Sequence, residues 1–238
     1  MSDNTPTPRD AANWAPRSDA LHVGILPPEA VNLNVDGRQV VGPLQGFGQL
    51  WQKTYRVRLT DCTATPEAVI AAWKANFPNL QPPQNRFFPS VAGVAPGEVV
   101  LINASLQGMP MQTGVLVLYA DELSFTLMTP QGHPESGWVT FSAWDEDGYT
   151  VAQVQSMARA NDPLYELGFA LGGAAAQEAI WQHVLTSLAA HHGVTNQPVH
   201  FEKQCVDGRL QWRQAHNIWQ NAAIRSLLYA LSRPFRQG

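Results

Sequence analysis

The chain has no apolar run near the ~20 residues a membrane-spanning helix needs. Met1–Asp19 carries neither the charged start nor the apolar stretch of a secretory signal, so a cytoplasmic location is expected. Cysteine is scarce: Cys62 and Cys205 stand alone and far apart. In a chain without export signals such thiols are expected to be reduced. Familiar chemical signatures are missing too. No glycine-rich phosphate loop precedes a helix, no G-x-S-x-G elbow is present, and no histidine pair has a helical metal spacing. His191, His192, His200 and Cys205 come nearest to a cluster, but their spacing matches no zinc pattern. No metal, no cofactor and no nucleic-acid partner is expected.

What is present fits one ordinary domain with appendages: 238 residues, 45% of them apolar. Charge is uneven. Residues 1–193 hold 9 Lys/Arg against 17 Asp/Glu, whereas 194–238 hold 6 against 2, giving −8 and then +4. A basic tail of this kind either seeks an anionic surface or docks on its own acidic domain.

Met1–Asp19 is polar and broken by Pro6, Pro8 and Pro16, so it is expected to be mobile. Residues 20–54 carry too many breakers (Pro27, Pro28, Gly37, Gly42, Pro43, Gly46) for a long element and read as an extended segment laid on the domain. Tyr55–Leu59 alternates at period two and predicts a first strand. Thr65-Pro66-Glu67 then opens a helix that buries Val69, Ile70, Trp73 and Phe77 and stops at Pro78. Six more strands are predicted at Arg86–Val91, Glu98–Leu106, Met111–Tyr119, Leu123–Thr129, Gly137–Trp144 and Tyr149–Ala158. Their short connections, Gln107-Gly108 and Asp145–Gly148 among them, make an antiparallel meander.

One long helix is predicted from Asp162 as N-cap, through Pro163, to His191-His192 before Gly193, a span of roughly 45 Å. Leu164, Leu167, Leu171, Ala174, Glu178, Trp181, Leu185 and Leu188 define its sheet-facing stripe. The middle of the helix is small (Gly168, Gly172, Gly173 and Ala174–Ala176), which either admits the sheet closely or leaves a hollow. Residues 194–238 add a basic extension in which Asn217–Phe235 reads as an amphipathic helix, with Trp219, Ala223, Ile224, Leu227, Leu231 and Phe235 on its apolar arc. Docking on the domain, self-association and peripheral membrane contact through 217–235 all stay open.

The order strand, helix, six strands, long helix resembles the helix-grip fold of the START-like superfamily, also called SRPBCC. Within it, Gln131–Gly137 followed by Phe141 and the acidic turn Asp145–Gly148 is similar to the central signature of a plant and bacterial family of uncharacterised domains. Pro163-Leu164-Tyr165 and Leu167-Gly168 echo that family's entry into the last helix. The resemblance covers Tyr55–Gly193. The chain departs from it at Trp138, Val139 and Thr140, where the family usually carries acidic residues, so no role of those acids transfers. The resemblance implies an α+β fold, with a curved antiparallel sheet of about seven strands around the long C-terminal helix, and a cavity for an apolar ligand. It implies no established reaction, since the superfamily includes lipid carriers, hormone receptors and cyclases.

The partner expected on these grounds is a small hydrophobic, lipid- or polyketide-like molecule held between sheet and helix. Met109, Met111, Phe125, Met128 and Met157 offer adaptable apolar surface, or are simply core. Leu171, Ala174, Trp138 and Trp181 join them as candidate lining. Gln153 and Gln155 share one strand face and bond a ligand if that face looks inward. His133, between glycines in a turn, and Glu178, on the helix stripe, are the candidates for acid/base work, with backbone bonding or pairing to Arg159 as the plain alternatives. Binding is the main reading, catalysis in the same cavity the alternative, and interaction through the C-terminal helix a further one.

Overall fold

The computed structural model describes residues 10–25, 27, 29–106 and 109–232. The start of the expected mobile tail, the Gln107-Gly108 turn, the Met109 side chain, Arg233 and Phe235 lie outside the described residues. Strand β1 runs from Leu50 to Leu59, longer than its predicted core. Its alternation puts Tyr55, Val57 and Leu59 on a fully buried face, with Trp51 and Lys53 in line behind them. Helix α1 (Pro66–Asn76) begins as expected: the Thr65 hydroxyl accepts from the Ala68 N–H at 3.3 Å, and Pro66 takes the first helical position. Val69, Ile70 and Trp73 are wholly buried, and the chain leaves through a 3-10 turn at Phe77–Leu80.

Strands β2 (Asn85–Phe88), β3 (Val99–Leu106), β4 (Met109–Ala120), β5 (Ser124–Met128), β6 (Glu135–Glu146) and β7 (Tyr149–Ala160) follow as an antiparallel meander. An eighth strand, β8 (His200–Asp207), pairs with β1, and the sheet order is β2-β3-β4-β5-β6-β7-β1-β8. The expected seven strands become eight. Strand β8 is an edge strand with mostly exposed residues, so its pattern carries little alternation; Phe201 anchors it, stacked on Tyr55 at 4.6 Å. At its end Arg159, 3% exposed, pairs with Asp207 at 2.6 Å and donates to the Gly48 carbonyl. Arg159 is therefore committed here and does not pair with Glu178.

The predicted long helix is a helical run with a bend. Helix α2 (Pro163–Gly168) passes through a π turn, Phe169–Gly173, into helix α3 (Ala174–His191). Asp162 caps the start, accepting from the Leu164 and Tyr165 N–H groups. Leu171 leaves helical geometry and Gly172 takes φ 115°, a conformation costly to any residue with a Cβ. The bend resets the phase, so Leu164, Leu167 and Leu171 are exposed while Tyr165 is buried. Beyond it Val184, Leu185 and Leu188 face the sheet with no exposure. The sheet thus curls around α3 in the helix-grip arrangement.

The outer face of β3 and β4 is covered by the N-terminal segment, with Leu21 and Val35 against Phe88, Leu101 and Leu116. Part of the expected mobile tail is anchored as well. Trp14 packs on Tyr119 with ring centroids 4.7 Å apart, and the Ala15 N–H donates to the Leu118 carbonyl. The buried indole area offsets the entropy of ordering this short stretch. The C-terminal extension is a 3-10 helix, Trp212–Gln220, followed by α4 (Ala222–Ser232). Asn221 divides them, because its side chain accepts from the Ile224 N–H and donates to Asp162. Helix α4 docks on β4 through Ala222 and Ser226, both fully buried, with the Ser226 hydroxyl accepting from the Gln112 N–H. The expected arc does not dock: Leu227, Leu231 and Trp219 remain exposed, because Asn34 and Gln112 offer polar partners that select the serine face.

Candidate functional site

Inward register places Thr113 and Val115 of β4, Leu127 of β5, Val139 of β6 and Ser156 of β7 along one concave wall. Facing them, the π turn and the first turns of α3 supply Phe169, Gly173, Ala176, Gln177, Ile180 and Trp181. Between wall and helix lies a hollow of about 1050 Å3, counted out into its open mouth. Gln84 and Ser105, both exposed, stand on the solvent side. Most of the lining is apolar, and a few polar groups converge on it, as in ligand pockets generally. Thr113 and Trp181 border this space, and their buried Oγ1 and Nε1 atoms have no hydrogen-bond partner among the described residues. Buried polar atoms of this kind normally meet a partner.

The signature turn supplies the titratable groups. Gly132, at φ 85°, lets the 3-10 helix of the extension approach so closely that a Cβ would sit 2.1 Å from the Gln220 carbonyl oxygen. The next residue, His133, turns toward the hollow. His133 Nδ1 lies 3.0 Å from the Glu135 N–H and 3.1 Å from the Glu135 carbonyl oxygen, so it accepts from the first or donates to the second according to the ring's tautomer, and Nε2 makes neither contact. Burial of the ring pushes its pKa down to about 4, opposed by the Glu135 carbonyl, which accepts from Nδ1 of the protonated ring. Burial likewise raises the pKa of Glu135, opposed by the charge of Lys53 and by the hydrogen bond from Gln177.

These groups form a polar bridge across the space. Lys53 Nζ donates to Gln177 Oε1 at 2.5 Å, and Gln177 Nε2 donates to Glu135 Oε2 at 2.6 Å. On the far side is a second hollow of about 760 Å3, likewise counted out into open solvent, bordered by Trp51, Lys53, Glu166, Ala174, Glu178 and Lys203. Glu135, Ser156, Ala158 and Phe169 border both spaces and so mark the boundary between them.

Of the residues singled out by sequence, Met111, His133, Trp138 and Trp181 border the first hollow, and Ala174 and Glu178 the second. The others lie elsewhere. Phe125 is core, stacked on Phe141 at 4.5 Å. Leu171 is 71% exposed at the bend. Gln153 and Gln155 face outward, bonded to Arg56 and Thr54, because the inward places on β7 belong to Val154 and Ser156. Met157 shares that outward parity, and Met128 packs near Gly42 outside the hollow. Sequence reasoning missed Lys53, Glu135 and Gln177. Their signals were present: a lysine in the inward register of β1, a glutamate inside the signature turn, and a glutamine one turn before Trp181. Among the described residues no three His, Cys, Asp or Glu side chains gather as a metal group, and both cysteines are free. No described helix is long and apolar enough to cross a membrane.

Comparison with known proteins gives one family match. The model described as "Domain of unknown function (DUF1990)" matches residues 51–187. No curated protein sequence matches. Among solved structures, the chain is similar to a START superfamily protein from Mycobacterium smegmatis, at 18% identity over 61% of this chain and 98% of that one, TM-score 0.42. It is similar to Ara h 8.0201, at 15% identity over 60% and 97%, TM-score 0.42. It is also similar to the di-domain ARO/CYC StfQ from the steffimycin biosynthetic pathway, at 8% identity over 61% and 51%, TM-score 0.47. The match spans about half the length of that di-domain protein.

Proposed function

The chain belongs to the DUF1990 family, and from that premise we propose that it binds one small, largely apolar molecule in the hollow between the sheet and α3. The observation that carries this reading is the open-mouthed apolar hollow between sheet and α3, walled by Ile102, Val115, Leu127, Val139 and Ile180. Apolar area removed from water supplies affinity at about 25 cal/mol per Å2, and the few polar groups fix orientation. Native mass spectrometry of the full chain checks it: a co-purifying small molecule, lost in Ser156→Phe, is the expected result. Ser156 is 4% exposed and borders both hollows, so a phenyl ring there occupies the site. Wild type and variant that both carry nothing, and that fail alike to take up an added apolar dye, would refute the proposal.

A second reading is acid/base chemistry on the bound molecule. It is favoured by His133, a neutral imidazole whose Nε2 is left to a ligand, two residues from a buried carboxyl. Glu178, the other sequence candidate, borders the second hollow instead. Conversion of a co-purified molecule by wild type but not by His133→Gln supports this reading; equal conversion removes His133 from it.

A further inference from the structure

Lysine rarely enters a protein interior without a counter-charge, because an isolated buried ammonium is costly. Lys53 is 8% exposed. Among the described residues no carboxylate oxygen lies within the 4.0 Å ion-pair distance of its ammonium. Among the described residues its one hydrogen bond goes to Gln177, and the ring of Phe169 lies 5.9 Å away. An ammonium has three donors, so two are open. Directly opposite on β8 stands Lys203, the register partner of Lys53, which borders the same second hollow and also has no ion pair among the described residues. Two like charges facing each other across a strand pair repel. An anion placed between them relieves that repulsion.

We propose that the second hollow holds the anionic head group of the bound molecule, with Lys53 as its main anchor and Lys203 as its auxiliary. The apolar body passes Phe169 into the first hollow. The ligand class is therefore an amphiphile with one carboxylate-type head. This rests on the reading of the first hollow as an apolar binding site. The two spaces adjoin at Glu135, Ser156, Ala158 and Phe169, which line both, and the proposed molecule crosses there. The carboxyls nearby do not replace the head group. Glu135 is engaged by Gln177, and burial favours its protonated form. Glu166 is held against Gly48, accepting from the Gln49 N–H at 3.4 Å. Glu178 also borders the space, and among the described residues no ion pair joins it to Lys53 or Lys203.

Isothermal titration calorimetry of the full chain with decanoate and with 1-decanol at pH 7.5 tests the assignment. Decanoate is expected to bind at least about tenfold tighter, the scale of a charge-assisted hydrogen bond. Lys53→Met is expected to erase that preference, and Lys53→Arg to keep it. Equal affinity of the two probes in wild type, or an equal loss of both in Lys53→Met, overturns the head-group site and leaves the apolar site standing. Binding of neither probe overturns both. If Lys53→Met does not fold, Lys203→Met at its exposed position decides: a preference reduced severalfold supports the site, and an unaltered one overturns it.

Discussion

The two ends of the grip share the same strands and the same helical run, yet one is filled and the other is hollow. At the filled end Val184, Leu185 and Leu188 of α3 meet α1, whose Trp73 packs edge-on against Phe141 at 5.2 Å while Phe77 reaches Phe87 at 5.1 Å. At the other end α3 presents Ala176, Gln177 and Ile180, and the lining takes nothing from α1. The comparison shows that the hollow exists where the second helix does not reach. Of the small residues of the helical run, Gly173 and Ala176 border the first hollow and Ala174 the second, while Gly172 has another task. Gly172 is exposed and bends the chain, and that bend brings Phe169 and Gln177 to the boundary between the two spaces.

The largest effect that can break this comparison is a truncation at each end. Phe141→Ala, at a residue with no exposure, is expected to cost about 3–5 kcal/mol in urea denaturation, since it opens a cavity in a closely packed cluster. Ile180→Ala, at a half-buried residue beside existing space, is expected to cost about 1 kcal/mol. Similar costs at both positions would mean that the two ends are packed alike.

A smaller effect follows from the titratable groups at the hollow end. The folded-state pKa of His133 lies below its ordinary 6.5, at about 4. Its contribution to stability is therefore present above pH 6.5 and is lost as pH falls toward 4, where the unfolded chain binds the extra proton. Glu135 has the opposite sign. Its pKa is raised, so its contribution is present below its ordinary value and is lost as pH rises. Thermal unfolding of His133→Gln between pH 4 and 7 should therefore show less gain in stability with pH than wild type, and Glu135→Gln more. An unchanged slope in His133→Gln would mean that water hydrates the imidazole fully.

The smallest effect belongs to the outward face of the same strand. Gln153→Ala and Met157→Ala are expected to shift stability by less than about 0.5 kcal/mol and to leave ligand binding as it was. A loss of binding in either variant would place the ligand on the wrong side of the sheet.

Much of the scaffold was legible. The caps at Thr65 and Asp162 and the turn residues between strands are local signals, and they act locally in the structure. Strand β8 was not legible, because an exposed edge needs no alternating pattern to pair. The sheet-facing stripe was read correctly after the bend and wrongly before it, since a single π turn shifts the phase of every preceding residue. The site was half legible: His133 and Trp181 border the first hollow, while Gln155 fell to the outer face by a one-residue difference in parity from Ser156.

By itself, then, the sequence determined the elements, their order and the antiparallel meander, because periodicity, capping and turn chemistry act within a few residues. Tertiary structure alone decided which face of each strand looks inward, where α1 stops short, and that Lys53, Gln177 and Glu135 meet across the space. Those are contacts between residues 42 to 124 positions apart, and no local pattern encodes a distance of that kind.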